Sequence, residues 1–493
     1  MTSPSTRLFQ LSFNPCGTAM DETSEQALER LLCGVGDARV RLSEALQEQK
    51  PLLHERLREV LPSLPSPGSP SPAQLWRQSS VRIEASVFGI VSQLAAQLSS
   101  GRWSHLVQGM AGADPLAALL VWRAQRPSRS LRLAAPYLGC AESPASPPLP
   151  QVRRAAAHAF AVYGTLADAF GRRGAGLGDF SSGLRQSLAA DAHAEAAAAA
   201  AAADIPPSCI LHACWVPSEF NPVAYVALDE AAGWVVLAIR GTLSGHDTLT
   251  DACATPAAFP GGFAHAGMAA AAWQVARTHL PAAAAALAAH PGSSLLLTGH
   301  SMGGGVAALV TALCLCGDAD VESAVLRGAL ASGAQPHAVD RALACVRAAR
   351  CVAFACPAVT SLGLAHALRR SVTAVVAGKD LVPRLSLASV QRLTWRLGAA
   401  WRPVGNTHGA EAESGPEHPA LWRRGATEMR DLGAPDCLVP AGLCLHLRGL
   451  SSAAPRCEVR SPAAFSDLRL GVRMFSDHRC VETRRWLRAS SRN

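Results

Sequence analysis

Leu295–Leu309 reads LLLTGHSMGGGVAAL, and the fold turns on it. Leu295, Leu296 and Leu297 form a short apolar run bounded by turn residues, which suits a buried parallel strand. Gly299-His300-Ser301-Met302-Gly303 follows as a G-x-S-x-G pentapeptide, and an Ala/Val/Leu stretch of helical composition comes after it. Strand, tight turn and helix are the setting in which this pentapeptide makes a nucleophile elbow. Gly299 and Gly303 leave room for the bend because neither has a Cβ. Ser301 Oγ then stands at a helix N-terminus, where free N–H groups favour a developing oxyanion. The blander alternative is a glycine-rich turn whose serine only caps the helix, so a base, an acid and an oxyanion hole must be found elsewhere.

Strands and helices alternate on both sides of the elbow. Ala224–Leu228, Trp234–Ile239 (WVVLAI), Arg350–Ala355 (RCVAFA) and Val372–Ala377 (VTAVVA) are apolar enough for strands of one mostly parallel sheet. The expected fold class is therefore α/β, with an α/β-hydrolase-type, mostly parallel sheet covered by helices on both faces. Residues 205–493 are assigned to this domain. Residues 1–204 read as an all-helical N-terminal region, with helices expected over 22–61, 80–98, 103–123, 152–170 and 184–203. Proline-rich linkers interrupt it near 62–72 (PSLPSPGSPSP) and 141–150 (AESPASPPLP). That region carries no catalytic signature of its own.

Composition bounds the function. The chain has 493 residues, of which 49% are hydrophobic and 17% charged, so it is globular rather than disordered. Lysine occurs only at Lys50 and Lys379, and arginine supplies nearly all the positive charge. The net charge of +8 is spread among scattered acids, and no zinc-finger, RNP or basic-zipper pattern occurs, which argues against nucleic acid. Fifteen dispersed cysteines and a start, MTSPSTRLFQLSF, that lacks a signal-peptide pattern point to reduced thiols in the cytoplasm. No charge-free stretch of ~20 apolar residues occurs, so no transmembrane helix is expected.

Asp380 follows the strand Val372–Ala377 in the string GKDLVP, where a hydrolase of this topology keeps its orienting acid. Four histidines lie beyond it: His408 and His418 in a polar segment, His446 in an apolar strand-like run, and His478 after Phe475-Ser476-Asp477 on a loop. Arg240-Gly241-Thr242 ends the strand WVVLAI. Its hydroxyl and backbone suit an oxyanion hole, with the Met302 N–H as the second donor.

VVLAIRGTLSGHDTLTDA (235–252), AHAGM (264–268), the elbow, VAFACPAV (352–359), VVAGKDLVPRLSL (375–387) and SDH (476–478) together resemble the lipase class 3 family. Within it they are most similar to the sn-1-specific diacylglycerol lipases. The resemblance covers about residues 205–400 plus SDH. It implies Ser301, Asp380 and His478 as the catalytic triad and Thr242 with Met302 as the oxyanion hole. It matches His265 and Gly267 to the family's H-x-G-M segment. LVPAGLCLHL (438–447) is similar to the family's P-P-G-R-x-x-H-L strand, with Leu443 in place of the arginine, which makes His446 structural.

The activity so implied is hydrolysis of acylglycerol esters, chiefly diacylglycerol to a monoacylglycerol and a fatty acid. The alternatives are a phospholipase or galactolipase of the same fold, or an inactive helical scaffold protein. The mechanism requires no cofactor. Calcium dependence is implied only by resemblance, since no D-x-[DN]-x-[DN]-G loop occurs. The expected partner is an acylglycerol lipid at a membrane or lipid-droplet surface, with the protein cytoplasmic and peripherally associated. Thr250–Phe263 is read as an apolar lid. Arg479, Arg484, Arg485, Arg488 and Arg492, with Trp486 and Leu487, are read either as a solvated arginine-rich tail or as a basic tail that docks on an anionic surface with its apolar pair at headgroup level.

Overall fold

In a computed structural model, the described residues are 148–167, 191–242, 255–386, 388–389, 392–393, 437–449, 456–469, 473 and 477–489. All of them belong to the second of the chain's two units, Ser79–Asn493. The helices expected over 22–61, 80–98 and 103–123, the linker near 62–72, and His408 and His418 lie outside the described residues.

Helix α1, Leu149–Ala161, starts inside the run read as a proline linker. Pro150 sits in its first turn, where a missing N–H costs nothing. A 3-10 turn, Gly164–Leu166, follows. Helix α2, Ala192–Ala203, is capped by Asp191, whose carboxylate accepts the Ala194 N–H at 2.7 Å. Strands β1 (Ile210–Cys214), β2 (Ala224–Asp229) and β3 (Trp234–Ile239) then form an antiparallel meander.

Strands β4 (Pro256–Phe259) and β5 (Gly262–His265) make a hairpin that leads into helix α3, Ala266–Ala289. Strand β6 (Ser294–His300) runs into helix α4 (Met302–Cys316), followed by α5 (Ala319–Ala331) and α6 (Pro336–Arg347). Strand β7 (Arg350–Phe354), strand β8 (Thr360–Ser361), helix α7 (Leu362–Ala367) and strand β9 (Val372–Ala377) continue the chain. Strands β10 (Leu438–Val439), β11 (Leu443–Arg448) and β12 (Arg456–Arg460) and helix α8 (Cys480–Ala489) complete it.

The main sheet has eight strands in the order β1-β2-β3-β6-β7-β9-β11-β12. Its centre is parallel from β3 through β11, and both edges are antiparallel. Every residue of β2 and β9 is buried, as expected of strands covered on both faces. A smaller sheet, β10-β8-β5-β4, uses the hairpin. The described part of the expected lid, residues 255–263, thus carries β4 and the start of β5; residues 250–254 lie outside the described residues.

Packing bears on two of the expectations. Val152, Phe160, Tyr163 and Leu166, from the supposedly separate helical region, are buried in one cluster with Tyr225, Val236, Phe354 and Leu445 of the sheet. The core therefore continues across the boundary expected at 204/205. Trp486 and Leu487 belong to the same cluster, at 2% and 1% exposure, and so are not available to insert into a lipid surface. Trp486 Nε1–H donates to the Arg448 carbonyl at 3.0 Å, which docks α8 on the end of β11. The Arg484 guanidinium lies 5.0 Å from the centre of the Phe160 ring. In this segment it is the amphipathic helix, not a free tail, that accounts for alternating arginines and apolar residues. Among the described residues no single helix is long and apolar enough to cross a membrane; α4 with α5 passes only as a pair bent by 89°.

Candidate active site

The elbow is built as its glycines require. A Cβ on Gly303 would fall 2.2 Å from the Ile239 carbonyl oxygen, and one on Gly299 would fall 2.5 Å from Gly303 backbone atoms. The bend between β6 and α4 can close against β3 only where side chains are missing. Ser301 takes φ 57° and ψ −130°, a conformation that non-glycine residues rarely adopt. It is held there by its own backbone. The Ser301 N–H donates to the Phe354 carbonyl at 2.9 Å, and the Ser301 carbonyl accepts from Gly304 and Gly305.

Asp380 sits in the turn after β9 and is fully buried. Its Oδ1 accepts the Val382 N–H at 3.0 Å, and both of its oxygens lie 3.1 Å from His478 Nδ1. The other ring nitrogen, His478 Nε2, lies 3.0 Å from Ser301 Oγ. A carboxylate only accepts, so Nδ1 carries the proton and Nε2 is left to accept from the serine hydroxyl. The structure thus brings Asp380, His478 and Ser301 into one hydrogen-bonded chain, although the pairs are 98 and 177 positions apart in sequence.

The oxyanion donors expected from sequence lie beside it. A Cβ on Gly241 would be 3.2 Å from Ser301 Cβ, so the end of β3 presses on Ser301, and Thr242 is the next residue. Met302 is the first residue of α4, and its N–H is among those that helix geometry leaves without an intrahelical acceptor. His265 caps α3: its Nδ1 accepts the Met268 N–H at 3.3 Å. His446 Nε2 lies 2.7 Å from the Gly378 carbonyl, bracing the strand end from which the Asp380 turn departs. Burial lowers its pKa.

Several residues that sequence reasoning passed over also shape the site. Asp477 is buried; its Oδ2 accepts the Lys379 N–H at 2.8 Å and its Oδ1 the Arg473 Nε–H at 3.0 Å. Lys379 and Asp477 immediately precede Asp380 and His478, so the acid and base loops are joined twice, side by side. Arg384 is buried under the Asp380 turn, donating to the Ala464 carbonyl at 3.2 Å and lying 4.6 Å over the Phe465 ring. Burial pushes its pKa down to about 10. His300 reaches the His478 carbonyl from behind the elbow, and the Tyr163 hydroxyl lies against His300. His300 was in plain view within the pentapeptide, but no local pattern gives it a partner. Among the described residues, no group of three or more His, Cys, Asp or Glu stands where it could hold a metal ion.

An elbow after β6, an acid after β9 and a histidine beyond the last strand follow the chain order of the α/β-hydrolase fold. Residues 236–390 match the profile of the family Lipase (class 3). That stretch is under a third of the chain and holds Thr242, Ser301 and Asp380, whereas His478 lies beyond it. No curated protein matches the chain.

Among solved structures, a mutant form of MDLA from Penicillium cyclopium is similar at 17% identity and a TM-score of 0.37, over 67% of this chain and 94% of that one. A triacylglycerol lipase described as having a serine protease triad is similar at 15% identity and a TM-score of 0.33, over 50% and 78%. A lipase from Rhizopus microsporus var. chinensis is similar at 21% identity and a TM-score of 0.26, over 34% and 54%. The chain thus spans about half the length of that last lipase.

Proposed function

We propose that this protein is a serine ester hydrolase of acylglycerols, taking diacylglycerol to a monoacylglycerol and a fatty acid. The observation that carries the reading is the chain Asp380–His478–Ser301, seated on a strained elbow at the N-terminus of α4. Each part has a role in acyl transfer. His478 Nε2 takes the proton from Ser301 Oγ as that oxygen attacks the ester carbonyl. Asp380 keeps the imidazole in the tautomer that can accept it and stabilises the imidazolium that forms. Thr242 and the Met302 N–H hold the tetrahedral oxyanion. His478 then gives the proton to the departing glyceride oxygen. Water, activated by the same imidazole, cleaves the acyl–serine ester and frees the fatty acid.

The choice of acylglycerol, and of diacylglycerol within that class, is supported by the match to the class 3 lipase profile and by the R-G-T-x-S-x-x-D-x-L-T-D and G-K-D-x-V-P-R-L-S strings. Diacylglycerol stays in the bilayer, so catalysis takes place with the protein docked at a lipid surface, on the cytoplasmic side in this reading. The test is product analysis on vesicles containing radiolabelled di- and triacylglycerol and phospholipid, with a fluorophosphonate probe to mark the nucleophile. Wild-type protein is expected to label at Ser301 and release fatty acid from diacylglycerol. Ser301→Ala should lose both, as triad deletions cost several orders of magnitude. Release from phospholipid alone would replace the substrate and keep the mechanism. Failure of Ser301 to label would remove the mechanism.

A further inference from the structure

His300 ends strand β6, one residue before the nucleophile, and its side chain is buried. Both of its ring nitrogens are used. Nε2 lies 2.9 Å from the main-chain carbonyl oxygen of His478. A carbonyl only accepts, so Nε2 carries a proton. Burial pushes the ring's pKa down to about 3, so it carries no second proton near neutral pH. Nδ1 is then bare, and the Tyr163 hydroxyl, 3.1 Å away, donates to it. Phe160 packs against the ring at 5.7 Å between centroids, and the His478 ring lies 5.0 Å away on another side.

These contacts set the frame of the base. Asp380 presents two oxygens at equal distance to His478 Nδ1, a bond that holds the ring but tolerates its swinging about the carboxylate. The position of Nε2 over Ser301 Oγ therefore depends on where the His478 backbone sits. That backbone is hooked at its carbonyl to the elbow by His300 and, one residue earlier, to the acid loop by Asp477. We propose that His300 is a positioning residue for the hydrolytic reaction, holding the His478 carbonyl through Nε2–H while the Tyr163 hydroxyl fixes its tautomer. The proposal rests on the serine-hydrolase reading of the site. It also gives the segment after α1 a part in catalysis, since Tyr163 comes from there and lies against Gly241. Only a neutral donor suits the position, because a fixed cation beside His478 would oppose the imidazolium that forms during acyl transfer.

The test uses the full chain with His300→Leu, His300→Gln, His300→Asn and Tyr163→Phe. Two readouts need no lipid: kcat and KM on a short soluble p-nitrophenyl ester, and the rate of fluorophosphonate labelling of Ser301. Thermal melts confirm folding. The leucine variant should lose roughly ten- to a hundredfold in kcat and in labelling rate with KM unchanged, the size of effect that a misplacement near 1 Å produces. Glutamine puts an amide N–H where Nε2 was and should recover most of the rate. Asparagine falls short of that point and should be as slow as leucine, which decides the matter should the leucine variant not fold. Tyr163→Phe should lose less, and add nothing to the loss in His300→Leu, because the two act as one unit. A folded leucine or asparagine variant as fast as glutamine or wild type would overturn the proposal, as would a loss that appears in KM alone. If wild-type Ser301 does not label, the serine-hydrolase reading fails and takes this one with it. If wild type labels but the variants label equally, only the positioning role fails.

Discussion

Ser301 stores backbone strain at the point where chemistry is read into the site. Its φ of 57° pushes Cβ towards the preceding carbonyl, at a cost of about 1–3 kcal/mol for a non-glycine residue. The hydrogen bonds that Ser301 donates to Phe354 and accepts from Gly304 and Gly305 oblige the residue to stay there. The same bend presents Oγ to His478 Nε2. Function and stability are thus opposed in one dihedral, and the two can be separated by substitution. Ser301→Ala removes the hydroxyl and keeps the strain. Ser301→Gly removes both, and pays back only the ~0.5–1 kcal/mol of extra unfolded-state freedom that glycine carries. Both variants are expected to be inactive, with the glycine variant more stable than the alanine variant by about 1 kcal/mol in urea unfolding. Equal midpoints, or a less stable glycine variant, would show that the elbow is not strained at this residue.

Among the described helices, α3 and α5 share the most extensive contact. Pro281 stands inside α3, and Gly328 of α5 comes up against it so tightly that a Cβ would lie 2.1 Å from the Pro281 carbonyl oxygen and 2.4 Å from its Cα. Alanine is worth about 1 kcal/mol over glycine in a helix interior, so propensity alone favours Gly328→Ala. The clash is with backbone, which cannot rotate away, and overpacking of this kind costs about 1–3 kcal/mol. The clash should win. Gly328→Ala is expected to lower the denaturation midpoint, and a rise would mean that the helices part without penalty. Nothing in the local sequence announces this contact.

By contrast, β3 and β9 were legible as WVVLAI and VTAVVA because a strand buried on both faces needs an unbroken apolar run. The elbow was legible because its glycines are required by close approach. Helix α1 starts three residues before the expected 152, because Pro148 and Pro150 read as linker although proline is at home in a first helical turn. Trp486 and Leu487 were misread because arginines every few residues look like a tail until α8 is seen to turn one face onto β11. The contacts of His300 span 137 and 178 positions, a range at which neither periodicity nor motif spacing carries information.

At the scale of the molecule, the helices before residue 205 finish the sheet that the class 3 profile only begins to describe. Asp229, fully buried at the end of β2, accepts from Arg154 Nε at 2.5 Å and His158 Nε2 at 3.0 Å, both on α1. Burial alone would raise its pKa, but these two hydrogen bonds outweigh that and hold the carboxyl below the usual range. His158, kept neutral by burial, turns Nδ1 to the Tyr225 hydroxyl at 2.9 Å. A chain beginning at Ile205 would leave this carboxylate without either donor, and loss of a buried partner costs about 3–5 kcal/mol. It would also uncover the sheet residues beneath Val152, Phe160, Tyr163 and Leu166. Each such apolar side chain is worth about 1.5–3 kcal/mol when buried. Together these losses reach the whole stability of an ordinary domain, about 5–15 kcal/mol. The 205–493 fragment is therefore expected to be aggregated or to melt without a cooperative transition, and to leave Ser301 unlabelled by fluorophosphonate under conditions where the full chain labels. The removal also takes away Tyr163, so a fragment that folded by other means would still be slow. A 205–493 fragment with a sharp melt and wild-type labelling would favour the boundary at 204 and reduce α1 and α2 to covering helices.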